Sequence, residues 1–238
     1  MLFRSLGTQT VLPPGYLCCG YPQTAAGNED RGREITTGNR VLFHRVANTL
    51  NYLDIRTVIV SCGTCMDQLQ KYEFDKIFPG CRLLDIHEYL LEKGVRVESV
   101  AGARYMYHDP CHTPMKTYAP IKVVNELMNA PVTLNERCCG ESGSLATTRP
   151  DISTQVRFRK EEEMRKGADA LRSGGFGGEI KILTSCPSCL QGLSRFDDDA
   201  GTHADYIVVE MAKRILGPDW LPRYVARANA GGIERVLV

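Results

Sequence analysis

The sequence predicts an α/β protein of two tandem units related by a pseudo-two-fold, each with a parallel sheet, the first lacking its N-terminal strand. Three observations predict it. "SCGTCMDQLQKYEFD" (61–75) aligns with "SCPSCLQGLSRFDDD" (185–199) at a constant offset of 124, matching Ser61 with Ser185, both cysteine pairs, Leu69 with Leu193, Tyr72 with Phe196 and Asp75 with Asp199. Two C-C-G triplets, in "YLCCGYP" (16–22) and "ERCCGESG" (136–143), repeat at an offset of 120. Short apolar runs and amphipathic stretches also follow one another as strand, cysteine, helix. That order implies parallel α/β units, whose ligands collect at the carboxyl ends of strands.

Each element follows from its local pattern. Residues 39–53 carry Val41, Leu42, Val46, Leu50 and Leu53 at helical spacing. "TVIVS" (57–61) reads as a buried strand delivering Cys62. "LLDIHEYLLEKG" (83–94) reads as a helix ending at glycine. In the second unit "RYMYH" (104–108) is a strand leading into "DPCH", followed by helices at about 117–129 and at about 150–172. "SGGFGG" (173–178) precedes a strand instead of joining a strand to a helix, so it is expected to be a plain loop and not a phosphate cradle. "IKILTS" (180–185) is then a strand delivering Cys186, and "DYIVVEMAKRILG" (205–217) a second glycine-terminated helix. The boundary between the units is expected near residue 100, giving 1–100 and 101–238. The run "RFRKEEEMRK" (157–166) has mixed signs and is expected to be a solvated face.

Composition narrows the function class. An apolar fraction of 43% and a charged fraction of 24% describe an ordinary globular protein. A net charge of +1 gives no field that would favour nucleic acid or an anionic membrane. Apolar runs such as "TVIV" (57–60) are far too short to span a bilayer. The N-terminal stretch lacks the pattern of an export signal, so a cytoplasmic location is expected. Ten cysteines in 238 residues, about 4%, fall below the roughly 8–10% of a disulfide scaffold. Thiols kept reduced in the cytosol serve as metal ligands or catalysts.

The second unit offers Cys111, Cys138, Cys139, Cys186 and Cys189. A C-x-x-C sets two sulfurs on one side of a turn, and C-C-G adds two more, the glycine allowing positive φ and close approach. Soft thiolates in this number select zinc or iron–sulfur. A structural zinc takes four ligands and would leave one over, so the number favours a polynuclear iron–sulfur centre. The first unit repeats the set as Cys18, Cys19, Cys62 and Cys65, with Gly20 in the place of Gly140. No nucleophile–base pair stands out, and no catalytic residue is expected in either unit.

The order C…CCG…C-x-x-C resembles the cysteine-rich CCG domain, found twice in one of the subunits of heterodisulfide reductase. It is similar also to the iron–sulfur subunits of glycolate oxidase, anaerobic glycerol-3-phosphate dehydrogenase and lactate-utilisation systems. "YHDPCH" (107–112) closely resembles the segment around the first cysteine of that domain. The resemblance covers nearly the whole chain and is greatest to the C-terminal part of fused FAD-linked oxidase/iron–sulfur proteins. It implies a [4Fe–4S] cluster, cubane or non-cubane, on the cysteines of each repeat, with zinc in one repeat as the alternative. It implies too that FAD sits only on a partner or fused domain, beside a ferredoxin-like [4Fe–4S] domain. The function it implies is electron transfer from a flavin-dependent 2-hydroxyacid dehydrogenase of glycolate or lactate type to quinone or another acceptor. Membrane association would then run through partners at the inner membrane. The alternatives are a catalytic component of heterodisulfide-reductase type and a non-catalytic zinc-bound interaction module.

Departures from the pattern carry expectations of their own. Cys111 lies 27 residues before Cys138, and the equivalent place before Cys18 falls upstream of Met1, so the chain reads as N-terminally truncated. Cys81, in "FPGC", matches nothing in the second unit and is expected to be a spare buried thiol. His108, Asp109 and His112 flank Cys111; they either tune a cluster by hydrogen bonds or form a capped turn. His44, His87 and His203 have no ligand spacing and are expected at helix surfaces or boundaries.

Overall fold

The computed structural model describes residues 6–12, 17–141 and 145–231. Strand β1 (Thr57–Val60) pairs in parallel with β2 (Arg82–Asp85). Strands β3 (Ala103–His108), β4 (Val132–Leu134), β5 (Glu179–Thr184) and β6 (His203–Tyr206) form a second, wholly parallel sheet in the order β4-β3-β5-β6. The α/β class expected from the sequence is the observed one. The pairing also repeats: Thr57 to Val60 face Arg82 to Asp85 as Lys181 to Thr184 face His203 to Tyr206. On its other edge β5 has β3, whereas β1 has no strand there among the described residues. Burial follows: β5 is buried from Ile180 to Thr184, β1 only at Val60.

The first half holds α1 (Tyr21–Ala25), α2 (Glu29–Thr49), α3 (Gly63–Leu69), α4 (Phe74–Ile77) and α5 (Ile86–Glu92). Helix α2 begins ten residues before the expected segment. The Asn28 side chain accepts from Arg31 N, and Glu29 and Asp30 occupy the first turn, so a cap and the helix dipole start it there. The second half holds α6 (Pro120–Met128), α7 (Leu145–Thr148), α8 (Pro150–Arg172), α9 (Pro187–Ser194), α10 (Asp197–Ala200), α11 (Ile207–Leu216) and α12 (Trp220–Asn229). Residues 83–94 and 205–217 are not helical throughout. Their first residues join β2 and β6, because parallel pairing buries Leu84 and Tyr206, and the helices begin only at Ile86 and Ile207. Residues 173–178 form a turn leading into β5, as the sequence suggests, with the Arg104 guanidinium over the Phe176 ring.

Alternation along the four-stranded sheet makes two cores. Tyr105, Tyr107 and Leu183 face α6 and α11 through Val123, Val124, Leu127, Ile207 and Met211. Met106, Ile180 and Ile182 face α8 and α9 through Met164, Ala168 and Leu193. A third cluster, Tyr72, Phe74, Ile77, Phe78 and Cys81, lies under α2 in the first half. Leu90 of α5 joins the first of these cores, so the last helix of the first half packs inside the second. Full burial of each such side chain contributes about 1.5–3 kcal/mol.

Two polar residues are buried: His87, at a helix boundary as expected, and Lys160, against expectation. His87 is fully buried, its Nδ1 2.8 Å from Asp85 Oδ1, because Asp85 caps α5 by accepting from His87 N and holds the ring inward. His44 and His203 are exposed, as expected. Lys160, inside the supposedly solvated run 157–166, is fully buried, since it shares the inward stripe of α8 with Ser153, Met164 and Ala168.

Candidate metal centres

Both C-x-x-C segments sit at the junction of a strand and a helix. Cys62 follows β1 in extended conformation (φ −149°, ψ 130°) and caps α3; Cys186 follows β5 in the same way (φ −132°, ψ 124°) and caps α9. The second cysteine of each pair lies within the first turn, so the sulfurs gather where helix amides are unpaired and the dipole favours negative charge. The Cys186 thiol is drawn down to about 7, chiefly by a hydrogen bond from Cys189, with the Cys189 and Ser188 amides adding to it. Cys62 is drawn down to about 5 by Cys65 first, then by the Thr64 hydroxyl, 3.2 Å away, and the local amides. These are the thiols a metal takes up most readily.

The C-C-G turns deliver their sulfurs onto the same places. Cys139 Sγ lies 3.3 Å from Cys189 Sγ. Hydrogen bonds from Cys138 and Cys189 hold Cys139 as a thiolate against the opposing effect of burial; the Cys138 and Cys189 thiols are pushed up in turn. In the first half Cys19 is drawn down to about 6 by its bond from Cys65, whose own thiol rises. The glycines make these turns possible. Gly20 and Gly140 have φ of 87° and 73°, and their amides approach Cys18 Sγ at 3.5 Å and Cys138 Sγ at 3.4 Å. A Cβ at Gly140 would lie 2.7 Å from Arg157 Cγ.

Cys111, beyond the end of β3, is exposed, and its charge raises the Cys138 thiol, so it borders the second site. Cys18, the counterpart of Cys138 in the first half, is exposed. Cys81 lies apart, buried in the aromatic cluster of the first half, its thiol raised by burial. Asp109 accepts from the Tyr107 hydroxyl at 2.9 Å. His112 pairs with Asp67 of α3 at 2.6 Å, tying the Cys111 loop to the first half. His108 alone of the three reaches the thiols: its ring and the Cys139 and Cys189 sulfurs have ligand atoms within 4.8 Å of one another, all buried.

Two features were not legible in the sequence. The Lys160 Nζ donates to the Asn135 carbonyl at 3.0 Å, to Asn135 Oδ1, and faces His108 Nδ1 at 3.1 Å. Burial pushes this lysine down to about 8, against the pull of Glu163 and of Cys139, Cys189 and Cys138. The inward stripe of α8 was the available signal, hidden in a charged run. The second feature is Tyr206, whose hydroxyl donates to the Ser61 carbonyl and lies 3.1 Å from that of Ser185. The residues before the two C-x-x-C turns thus share one anchor, and the charge on Cys62 opposes ionisation of Cys186. The two sites are neighbours.

The donor set fits a thiolate-bound metal group. Hydrogen-bonded thiols gather at each strand end, Cys138, Cys139, Cys186 and Cys189 in the second half and Cys19, Cys62 and Cys65 in the first, with Cys19, Cys139 and Cys189 buried, and the buried His108 Nε2 has no hydrogen-bond partner. A family described as the cysteine-rich domain (CCG) matches residues 1–70 and 105–194, and a domain of unknown function (DUF3400) matches residues 194–238. The chain is 26% identical over 197 residues to one of the subunits of the fumarate reductase (CoM/CoB) of Methanothermobacter marburgensis, covering 79% of this chain and 36% of that protein. It is 26% identical over 201 residues to an uncharacterized iron-sulfur protein of Methanocaldococcus jannaschii, covering 81% of this chain and 37% of that protein. The chain therefore spans little more than a third of the length of these curated relatives. No solved structure matches it.

Proposed function

The chain belongs to the cysteine-rich CCG domain family, and from that premise we propose that it is an iron–sulfur electron-transfer module of an oxidoreductase. Its repeats are residues 1–100 and 101–238. Cys111, Cys138, Cys139, Cys186 and Cys189 hold one group, and Cys18, Cys19, Cys62 and Cys65 the other, each a [4Fe–4S] cluster with zinc as the alternative in the first. The approach of Cys139 Sγ to Cys189 Sγ, 3.3 Å, carries this reading, because it draws the C-C-G and C-x-x-C segments into one donor set. Held by these residues, such a cluster would supply one-electron chemistry between a flavin on a partner dehydrogenase of glycolate or lactate type and quinone or another acceptor.

The chain's own residues bind and shield that group. Cys139 and Cys186 enter as thiolates, and Met106, Met164 and Leu193 pack beside Cys139 and Cys189 and exclude water. The names of the relatives, one a component of a reductase and one an iron-sulfur protein, support a place within an oxidoreductase. All ten cysteines are free thiols, which agrees with a cytoplasmic setting. Among the described residues no helix is long and apolar enough to cross a membrane; membrane contact is assigned to partner proteins. A second reading, thiol–disulfide reduction at the cluster, rests on the relative named as part of a fumarate reductase (CoM/CoB). It requires turnover with a disulfide substrate.

Anaerobic purification, metal and sulfide analysis and a visible spectrum test the proposal. Iron, sulfide and broad visible absorption are expected, with iron and absorption lowered in Cys138→Ser and Cys139→Ser. A colourless protein with stoichiometric zinc, or full iron retention in both variants, would overturn it.

A further inference from the structure

Among the described residues the second site has a buried cation that the first lacks. Gly20 faces Thr36 across its turn as Gly140 faces Arg157, which places Asn39 of α2 opposite Lys160 of α8. Asn39 Nδ2 donates to the Cys18 carbonyl at 2.7 Å and to the Tyr72 hydroxyl at 3.0 Å, so that position is satisfied by a neutral amide. Lys160, fully buried, instead brings an ammonium against His108.

That contact decides the state of the imidazole. An ammonium has three donors and no acceptor, so a ring nitrogen that meets it at 3.1 Å must present its lone pair. In the neutral ring the proton then resides on Nε2, the buried atom with no other partner, beside the Cys139 and Cys189 sulfurs. Had His108 bound a metal through Nε2, its Nδ1 would carry the proton and confront the lysine, donor to donor. The Asn135 carbonyl, 3.3 Å from Nδ1, could accept that proton, but the lysine already donates to this oxygen.

We propose that Lys160 is a positioning residue that fixes His108 as an N–H donor to the Cys139 and Cys189 sulfurs, not a metal ligand, and thereby raises the reduction potential of the second site. The inference rests on the iron–sulfur reading above. Reduction adds negative charge to the group and its thiolates; an N–H aimed at the sulfurs, backed by a buried cation, stabilises the reduced state more than the oxidised one. The first site, with Asn39 in place of the lysine, has no such bias. An electron shared between these neighbouring sites accordingly settles on the second.

The test is a redox titration of the anaerobically isolated protein and of Lys160→Met, Lys160→Gln and Lys160→Arg, with iron content measured in each. Lys160→Met and Lys160→Gln should lower the equilibrium constant for reduction of the second-site group about tenfold or more, about 59 mV for a one-electron couple. Lys160→Arg should stay near wild type. Loss of iron from both neutral variants but not from Lys160→Arg would equally support the inference, since charge alone separates them. An unmoved potential in an iron-replete Lys160→Met, or the same change in all three variants, overturns it and leaves the iron–sulfur reading standing. A wild-type protein without iron sinks that reading and this inference together.

Discussion

Cys81 and Cys189 are almost equally buried, at 7% and 6% exposure, so burial does not tell a ligand from a spare thiol. Surroundings do. Cys81 touches aromatic and aliphatic side chains, and its sulfur meets backbone, the Arg82 carbonyl at 3.6 Å and Val58; Cys189 is 3.3 Å from another sulfur. We expect Cys81→Ala to keep wild-type iron content at a cost of about 1 kcal/mol in stability, and Cys189→Ser to lose iron from the second site. Metal analysis with thermal melts distinguishes them; equal iron loss in the two would make Cys81 a ligand. The isolation of Cys81 was legible in the sequence, because the repeat gives it no partner. The burial of Lys160 and His87 was not. Charge patterns mark a helix face as solvated by default, and only the packing of α8 on the sheet or the Asp85 cap of α5 reverses that.

Among the elements, α11 carries the clearest electrostatic consequence. Its Glu210, fully buried, accepts from Lys181 at 2.6 Å, Tyr105 at 2.7 Å and Arg214 at 2.8 Å, joining α11 to β3 and β5. Burial opposes its ionisation, but the bonds from Lys181, Tyr105 and Arg214 outweigh it and hold the carboxyl down at about 2, against an ordinary 4.5. The folded state therefore binds this proton less readily than the unfolded chain. The contribution, about 3 kcal/mol, is complete above pH 4.5 and is lost as pH falls through about 2. Urea melts across that range should show the loss in the wild type, and Glu210→Gln should be weaker at pH 7 with a shallower acid slope. An acid slope that Glu210→Gln leaves unchanged would refute it. Strand–helix order was readable at β1, β3 and β5, where apolar runs are continuous. It was not at β2, β4 and β6, each of four residues or fewer and defined by pairing to a neighbour that no local window contains.

At the scale of the whole molecule the halves share an order and a register but not a degree of completion. The second site has five cysteines bordering it; the first has four, and the described residues place no strand on the open edge of β1. Metal binding requires ligands to be deprotonated and brought together, so the better-shielded set should load first. Substoichiometric iron reconstitution is expected to fill the second site before the first. Comparing iron per chain in wild type, Cys186→Ser and Cys62→Ser reads this directly, and equal occupancy of the two sites would contradict it. The sequence repeat revealed the kinship of the halves. It did not reveal that α5 packs within the other half's core, because a repeat records likeness and not contact.

Gly63 limits how far that likeness extends. The Cys111–His112 loop crosses the start of α3 so closely that a Cβ on Gly63 would lie 1.4 Å from the His112 carbonyl oxygen. At the matching place in the second half stands Pro187, the first residue of α9. The two tetrapeptides, C-G-T-C and C-P-S-C, agree in ligand spacing and are still not interchangeable parts. Grafting the second onto the first would wedge a pyrrolidine ring into the seam where the halves meet, and even Gly63→Ala should lower the melting temperature and strip metal from the first site. A melt and an iron content matching wild type in Gly63→Ala would show that the seam can open. Though the chain is built on a doubled plan, one copy of its metal-binding turn cannot be overwritten with the other.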